Sequence, residues 1–250
     1  MISKNIIKFI RSLELKKNRK AEGLFVAEGP KVVGELMRHN APATIIATDE
    51  WIKDNNPNCE NIIKVDEDEL RKVSFLQHPQ QVLALFPVPK KENIISADSL
   101  SPDKLYIALD GVQDPGNVGT IIRIADWFGI DTIICSLDTA DAYNPKVVQA
   151  TMGSIAGINI IYTDLKKALH QLGENMPIYG TLLNGKNIYE EKLSAGGVIV
   201  FGNEGKGISP AIRELINREI LIPCMNDNCS AESLNVAIAT AITCSEFRRR

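Results

Sequence analysis

From residue 105 onward the chain alternates short apolar runs, rich in β-branched residues, with stretches of helical periodicity. LYIAL is followed by a helix from about 118, DTIICS by one from about 145, INIIY by one from about 165, then IYGTLL, VIVFG with a helix from about 210, EILIP, and a closing helix from about 233. A strand with one wet face alternates apolar and polar residues, whereas runs apolar throughout belong to strands covered on both faces. With helices between them, such runs predict a mostly parallel sheet covered by helices on either side.

A smaller α/β unit precedes this sheet. LFVAEG (24–29), ATIIATD (43–49), NIIKV (61–65) and QQVLALFP (80–87) read as short strands, with helical stretches around 31–39 and 67–76. The polar segment 88–104 carries proline near both ends and holds no period, so it reads as a connection. The expected division is a first domain over 1–95, a linker over 96–104 and a second domain over 105–250. The 250 residues, 44% hydrophobic, suffice for one large domain or two modest ones.

Charge is distributed unevenly. The net charge is −3, yet residues 1–40 hold nine Lys/Arg against four Asp/Glu, so the positive charge is concentrated at the front. Such a cluster can attract phosphate without making the whole molecule basic, and it is equally what a solvated helical surface looks like. Arg248, Arg249 and Arg250 form a second, terminal basic cluster.

No apolar stretch approaches the roughly 20 residues that span a bilayer. The opening MISKNIIKFIRSLELKKNRK is too basic and interrupted for a signal peptide. A cytoplasmic protein without a membrane partner is expected. Five cysteines, an odd number without CxxC spacing, suit reduced thiols packed in a core. Cys224 and Cys229 could be imagined as metal ligands, but His39, His78 and His170 form no ligand-like pair, so no metal site is expected.

Parallel sheets bind ligands beyond the carboxyl ends of their strands, and the unusual stretches fall there. LYIAL runs into DGVQDPGNVG, VIVFG into NEGKGIS, and EILIP into CMNDNCSAESLN. Together these loops can line one pocket. The dinucleotide fingerprint GxGxxG is absent from the first turn, GxxxxGK[ST] is absent, and there is neither a GxSxG elbow nor an HExxH helix. What remains is a pocket of backbone donors, an arginine and a few amides.

GNVGTIIR (116–123), FGNEGKGIS (201–209) and IPCMNDNCSAESLNVAIATAI (222–242) resemble, in order and spacing, the three motifs of the SpoU (TrmH-like) branch of the SPOUT methyltransferases. The first domain is similar to the RNA substrate-binding domain that precedes many members acting on rRNA. The resemblance implies a parallel-sheet α/β SPOUT domain whose C-terminal part threads a trefoil knot, a feature no periodicity could reveal. It implies methyl transfer from S-adenosylmethionine to a ribose 2′-hydroxyl in RNA, with rRNA preferred because of the first domain. A tRNA 2′-O-methyltransferase and a catalytically inactive RNA-binding relative are the alternatives. A homodimer is implied as well, with Arg123 reaching the cofactor held by the partner. The closing helix, apolar over much of its circumference, adds its own support to that pairing.

By the same resemblance, Asn117, Arg123, Glu204, Ser233 and Asn235 fall on catalytic positions, and Thr181, Gly202, Gly205, Ile222 and Leu234 on cofactor-binding ones. Gly202, Gly205 and Gly207 would let the backbone approach the adenosine, with main-chain groups of Ile222 and Leu234 on the base. Each polar residue also has a plainer reading. Asn117 could cap the helix that carries Arg123, and Arg123 could form a surface ion pair. Glu204 could pair with Arg123 or cap a helix starting at Ser209 and Pro210. Ser233 could cap the last helix, with Asn235 already inside it. A guanidinium is a poor base because it stays protonated, so an orienting role through the adjacent phosphate is the less demanding one. The cysteine-containing approach at 225–230 departs from the family's shorter run of small residues.

Overall fold

A computed structural model describes residues 2–89, 100–173, 176–226, 230 and 232–249. Residues 96–99 of the expected linker, Cys229 and Arg250 lie outside the described residues. Contacts divide the chain into two compact units, Met1–Lys90 with Asp141–Gly157, and Lys91–Ala140 with Ile158–Arg250.

The first unit opens with helices α1 (Lys4–Ser12) and α2 (Lys16–Glu22), which the sequence reading had not marked. Strand β1 (Leu24–Glu28) leads into α3 (Pro30–Met37), β2 (Thr44–Ala47) into α4 (Asp49–Asn55), and β3 (Ile62–Lys64) into α5 (Glu67–Val73), before β4 (Val82–Pro87). The sheet order is β1-β4-β2-β3, antiparallel on both sides of β4 and parallel between β2 and β3. α5 starts in a reciprocal cap, Asp66 accepting the Glu69 N–H at 2.8 Å while Glu69 accepts the Asp66 N–H at 3.4 Å. The apolar side of α1 joins the core, with Ile10 and Leu13 fully buried against Val26, Ile46, Leu83 and Leu85.

The second unit carries β5 (Leu105–Asp110), α6 (Pro115–Trp127) and β6 (Thr132–Ser136). The following helix, α7 (Pro145–Thr151), belongs with the first unit, where it packs on β1. A sequence reading that placed all of 105–250 in one domain did not anticipate this. Apolar spacing marks a helix, but it does not say which of two cores receives it. Val147 and Val148 are buried there, and Arg19 donates to Asp141 at 2.5 Å as well as to the Leu13 and Glu14 carbonyls.

The chain continues through β7 (Asn159–Thr163), α8 (Leu165–Gln171), β8 (Ile178–Asn187), β9 (Gly197–Gly202), α9 (Pro210–Arg213), β10 (Arg218–Leu221) and α10 (Val236–Arg249). The six strands are ordered β10-β8-β9-β5-β6-β7, and every neighbouring pair is parallel. β5 and β6 are buried along their whole length, and accordingly their sequences are apolar apart from Asp110, Thr132 and Ser136 at their ends. From β5 the chain steps outward to β6 and β7, then returns to the other side of β5 with β9, β8 and β10. The order therefore reverses between β5 and β9, whose ends are level because Asp110 lies opposite Gly202.

Two irregularities shape this half. Between β8 and β10 the register jumps, Glu219 facing Gly180 and Ile220 facing Lys186, so Thr181–Gly185 steps out of the ladder. A Cβ at Gly185 would lie 2.6 Å from the Ile220 backbone. Helices α6 and α10 run side by side in the same direction, joined at their starts by Asn235 Nδ2 to Asn117 Oδ1 (2.9 Å). At their ends Arg248 donates to the carbonyls of Phe128 (2.9 Å) and Gly129 (3.0 Å). The latter contact satisfies carbonyls left open at the end of α6.

Candidate active site

The point where strand order reverses is where an open parallel sheet accepts ligands. Here it is occupied by the two loops that leave β5 and β9 and by the segment entering α10. Glu204, in the glycine loop after β9, accepts from the backbone N–H groups of Gln113 (3.2 Å) and Asp114 (3.0 Å) and from Asn117 Nδ2 (3.1 Å). Its carboxylate therefore sits at the start of α6, where the helix dipole favours negative charge. Asn117 passes the connection on, its Oδ1 accepting from Asn235 Nδ2. Asn235 Oδ1 in turn accepts from the N–H groups of Ala237 (2.9 Å) and Ile238 (3.3 Å). Three residues far apart in sequence form one chain of hydrogen bonds across three elements.

Burial alone would raise the Glu204 pKa, but hydrogen bonds from Asn117 and from main-chain N–H groups, including those of Asp114 and Gln113, outweigh it. The carboxyl is held below its ordinary value of 4.5. Glu204 is thus kept as an anion. It forms no ion pair with Arg123 and does not cap α9, so both plainer readings of Glu204 are corrected: its donors are the backbone N–H groups of Gln113 and Asp114 and the side-chain amide of Asn117.

The caps also move by a few residues. Asp114, not Asn117, is the N-cap of α6, accepting the Asn117 N–H at 2.8 Å with Pro115 as the first helical residue. Asn235, not Ser233, heads α10, since its side chain takes two N–H groups and its carbonyl accepts from Ala239 at 2.9 Å. Ser233 is exposed outside the helix and makes no hydrogen bond with any described residue. Ser209 does precede Pro210 at the start of α9, and its N–H donates to Asp110 at 2.7 Å.

The three glycines do not share one cause. A Cβ on Gly202 would lie 2.2 Å from the backbone of Gly207 and Ile208, so its bareness serves the closing of the loop on itself. The chain itself therefore requires glycine at Gly202, whether or not a cofactor lies against it. Gly207 has φ +69, which favours glycine without reference to a ligand. At Gly205 neither cause applies: its φ is not positive, and a Cβ would meet only Asn203 Oδ1 at 3.8 Å. Nothing among the described residues asks for glycine there.

Asn203, overlooked in the sequence, builds this loop. Its Oδ1 accepts from Gly205 and Lys206 N–H groups at 3.0 Å each, its Nδ2 donates to the Gly111 carbonyl at 2.7 Å, and its backbone bridges Gly207. An asparagine before a glycine-rich turn is the signal that could have found it. The "QDPGN" stretch, with an acid before proline, could likewise have identified Asp114.

The remaining residues gather less tightly. Thr181 Oγ1 donates to the Val200 carbonyl at 3.1 Å, tying the excursion of β8 to β9. Ile222 is half-buried and Leu234 is 50% exposed, and the backbone groups of both meet no hydrogen-bond partner among the described residues. Arg123 lies six residues, about 9 Å of helix, beyond Asn117. It is exposed, with no ion pair or hydrogen bond among the described residues, and Trp127, one turn on, is 84% exposed. The structure therefore brings Asn117, Glu204 and Asn235 together and leaves Arg123 and Ser233 outside that group. Cys135 and Cys244 are buried, with thiols pushed up to about 12 by burial, while Cys59 is half-buried and Cys224 exposed, so core packing describes only part of the set.

Comparison with known proteins gives concordant results. The model of the SpoU rRNA Methylase family matches residues 104–245, and that of an MRM3-like substrate binding domain matches residues 4–84. The 23S rRNA (guanosine(2553)-2′-O)-methyltransferase of Bacillus subtilis is 31% identical over 246 residues, 97% of this chain and 95% of the relative. A 23S rRNA (guanosine-2′-O-)-methyltransferase of Neisseria meningitidis is 28% identical over 89% of this chain and 90% of its own length. Among solved structures, a TrmH-family protein of Porphyromonas gingivalis superposes with TM-score 0.88 at 38% identity, covering 100% of this chain and 99% of the other. An S-adenosylmethionine-bound rRNA methyltransferase of Sinorhizobium meliloti does so with TM-score 0.82 at 29% identity, covering 100% and 96%.

Proposed function

The chain belongs to the SpoU rRNA methylase family, and from that premise we propose that it transfers a methyl group from S-adenosylmethionine to a ribose 2′-hydroxyl of ribosomal RNA at the β5/β9 switch point. The observation that carries the assignment to this site is the hydrogen-bonded chain Glu204–Asn117–Asn235, which fixes three loops around one opening.

The residues present fit the cofactor. No described residue explains the bareness of Gly205, and a flat ligand can lie against it. Ile222 and Leu234 offer main-chain donors and acceptors that meet no partner among the described residues, beside apolar side chains, the combination that suits a purine. When bound, S-adenosylmethionine supplies a methyl group on a positively charged sulfur, already an activated leaving group. Glu204 holds the first turn of α6 and so sets the position of Asn117. Asn235 fixes the other side of Asn117 and the start of α10. Arg123 binds the phosphate next to the target ribose and aligns the 2′-hydroxyl, so that rate comes chiefly from positioning. Ser233, exposed beside Leu234, faces the incoming ribose.

Ribosomal RNA is favoured over transfer RNA because the relatives named above act on 23S rRNA and because residues 4–84 match a substrate-binding domain. On this reading residues 1–95 recognise RNA and residues 105–250 carry the chemistry. Retention of Asn117, Arg123, Glu204 and Asn235 weighs against an inactive relative. The working unit is a homodimer: Arg123 stands apart from the Glu204 group within one chain, and Ile238 on α10 and Leu234 just before it are about half exposed. Arg123 of one chain then serves the cofactor of the other. The C-terminal part is a trefoil knot, in keeping with β10 pairing with β8 across the break at Gly180/Lys186. The site of action is the cytoplasm, where ribosomal RNA is processed, and none of the described helices is long and apolar enough to cross a membrane.

Mapping 2′-O-methyl positions in ribosomal RNA from cells with and without the protein tests the assignment. One position should lose its methyl group in the deletion and regain it with the wild-type chain but not with Asn117→Ala. An unchanged rRNA map alongside a lost tRNA methyl group would move the substrate to tRNA.

A further inference from the structure

We propose that Ser136 and Asp138, where β6 gives way to its loop, are positioning residues for methyl transfer: they hold the loop after β5 in the place from which it fixes Glu204. This rests on the reading of the protein as an RNA methyltransferase. The ladder between β5 and β6 ends at the Leu109–Cys135 pair, and that between β5 and β9 at Asp110–Gly202. Beyond those pairs the chain turns at Gly111, with φ +70. Both main-chain groups of Gly111 are taken there by side chains that follow the two flanking strands. Its N–H donates to Ser136 Oγ at 2.8 Å, and its carbonyl accepts from Asn203 Nδ2 at 2.7 Å. Two and three residues further on, Gln113 and Asp114 turn their N–H groups to Glu204.

A serine hydroxyl has one proton to give and lone pairs to receive, so its acceptor decides which way it turns. Ser136 is buried, and the Asp138 carboxylate accepts its proton, with Oγ to Oδ1 at 2.6 Å. That leaves a lone pair of Oγ for the Gly111 N–H. A hydrogen bond to a carboxylate is stronger than one between neutral groups, so the hydroxyl keeps this sense. Thr139 Oγ1 lies 2.9 Å from Ser136 Oγ and donates to the Leu109 carbonyl at 3.1 Å. The Ala140 N–H donates to the Val112 carbonyl at 2.9 Å, and Tyr162 Oη on β7 donates to the Ala140 carbonyl at 2.5 Å. The loop after β6 is thus braced against β7 on one side and braces the loop after β5 on the other.

Neither Ser136 nor Asp138 hydrogen-bonds to Glu204, Asn117 or Asn235, so both act through Gly111. A misplacement of about 1 Å can cost about a hundredfold in rate, which makes a loosened β5 loop enough to slow transfer.

The test uses the full chain with Ser136→Ala, Asp138→Ala, Asp138→Asn and, as control, Thr132→Ala. Thr132 is buried at the opposite end of β6, its hydroxyl donating to Asp131 Oδ1 at 2.8 Å. Single-turnover transfer from methyl-tritiated S-adenosylmethionine to 23S rRNA is measured with both saturating, and amide hydrogen exchange is followed over residues 110–117. Ser136→Ala should lower the rate at least about tenfold while keeping both affinities within about twofold of the wild type. It should also speed exchange over 110–117 at least about tenfold. Asp138→Ala should slow transfer at least about threefold, and Asp138→Asn, which keeps an oxygen acceptor, should restore most of the rate. Thr132→Ala should keep the wild-type rate and the wild-type exchange over 110–117 whatever it loses in melting temperature. Asp138 is exposed, so its variants decide the matter should Ser136→Ala unfold. A wild-type rate in Ser136→Ala or Asp138→Ala, unchanged exchange over 110–117, an equal loss in Thr132→Ala, or a loss confined to affinity would each overturn the proposal. Wild-type protein that transfers no methyl group to RNA would count against the methyltransferase reading, while exchange in Ser136→Ala would still show whether Ser136 holds the loop.

Discussion

At the scale of single residues, the glycine loop separates two kinds of necessity. Gly202 is required by its own chain, so Gly202→Val should force the loop open against Gly207 and Ile208 and destabilise the protein by about 1–3 kcal/mol, read as a lowered melting temperature. Gly205→Val should melt with the wild type yet bind S-adenosylmethionine at least about tenfold more weakly by calorimetry, because only a ligand meets the new side chain. If Gly205→Val bound the cofactor normally, the bare position would owe nothing to it. Glu204 gives a prediction in pH. Its pKa is lower folded than unfolded, so its contribution is present above about 4.5 and is lost as pH falls through the folded value. The melting-temperature difference between wild type and Glu204→Gln should therefore be constant near neutrality and shrink in more acidic solution. A difference that grows as pH falls would show that the carboxylate is not what the N–H groups of Gln113 and Asp114 require.

At the scale of elements, α10 depends on its first residue. Asn235→Ala removes the cap and releases Asn117, and should cost about 1 kcal/mol of stability together with most activity, whereas Ser233→Ala should stay within about 0.5 kcal/mol of wild type in urea unfolding. Equal losses at both positions would return the cap to Ser233. Most elements could be read from the sequence. The apolar runs at 105–109, 132–136 and 198–201 are buried strands, and the three loops placed at strand ends do converge. Cap positions were harder. Asn117 and Ser233 have the right chemistry for caps, but Asp114 and Asn235 hold those places, because a cap is decided by where the backbone enters the helix. The bounds of α1 and α2 were not legible, because the charge of residues 1–40 suggests only a phosphate-attracting cluster or a solvated helical surface.

At the scale of the whole molecule, the sequence shows a division near residue 95 but not that α7 belongs with the first unit. Removing residues 1–95 strips the partners from Val147, Val148 and Ile155, so the fragment 105–250 should be far less soluble and stable than a simple two-domain chain would predict. A well-folded fragment with full cofactor affinity would show that α7 finds cover elsewhere. The shared site is tested by mixing Arg123→Ala chains with Gly205→Val chains. Each is inactive alone on this account, and heterodimers verified by native mass spectrometry should recover activity at one of two sites, while subunits acting singly would show none.

Labelled transfer shows whether the Glu204–Asn117–Asn235 opening directs methyl transfer to a ribose. The protein is incubated with methyl-tritiated S-adenosylmethionine and 23S rRNA from cells lacking it, and the RNA is digested to nucleosides. The account predicts that all label elutes as a single 2′-O-methylnucleoside and that Asn117→Ala lowers the rate at least about a hundredfold without changing the fold. Label on a base, or a wild-type rate retained by Asn117→Ala, would contradict it.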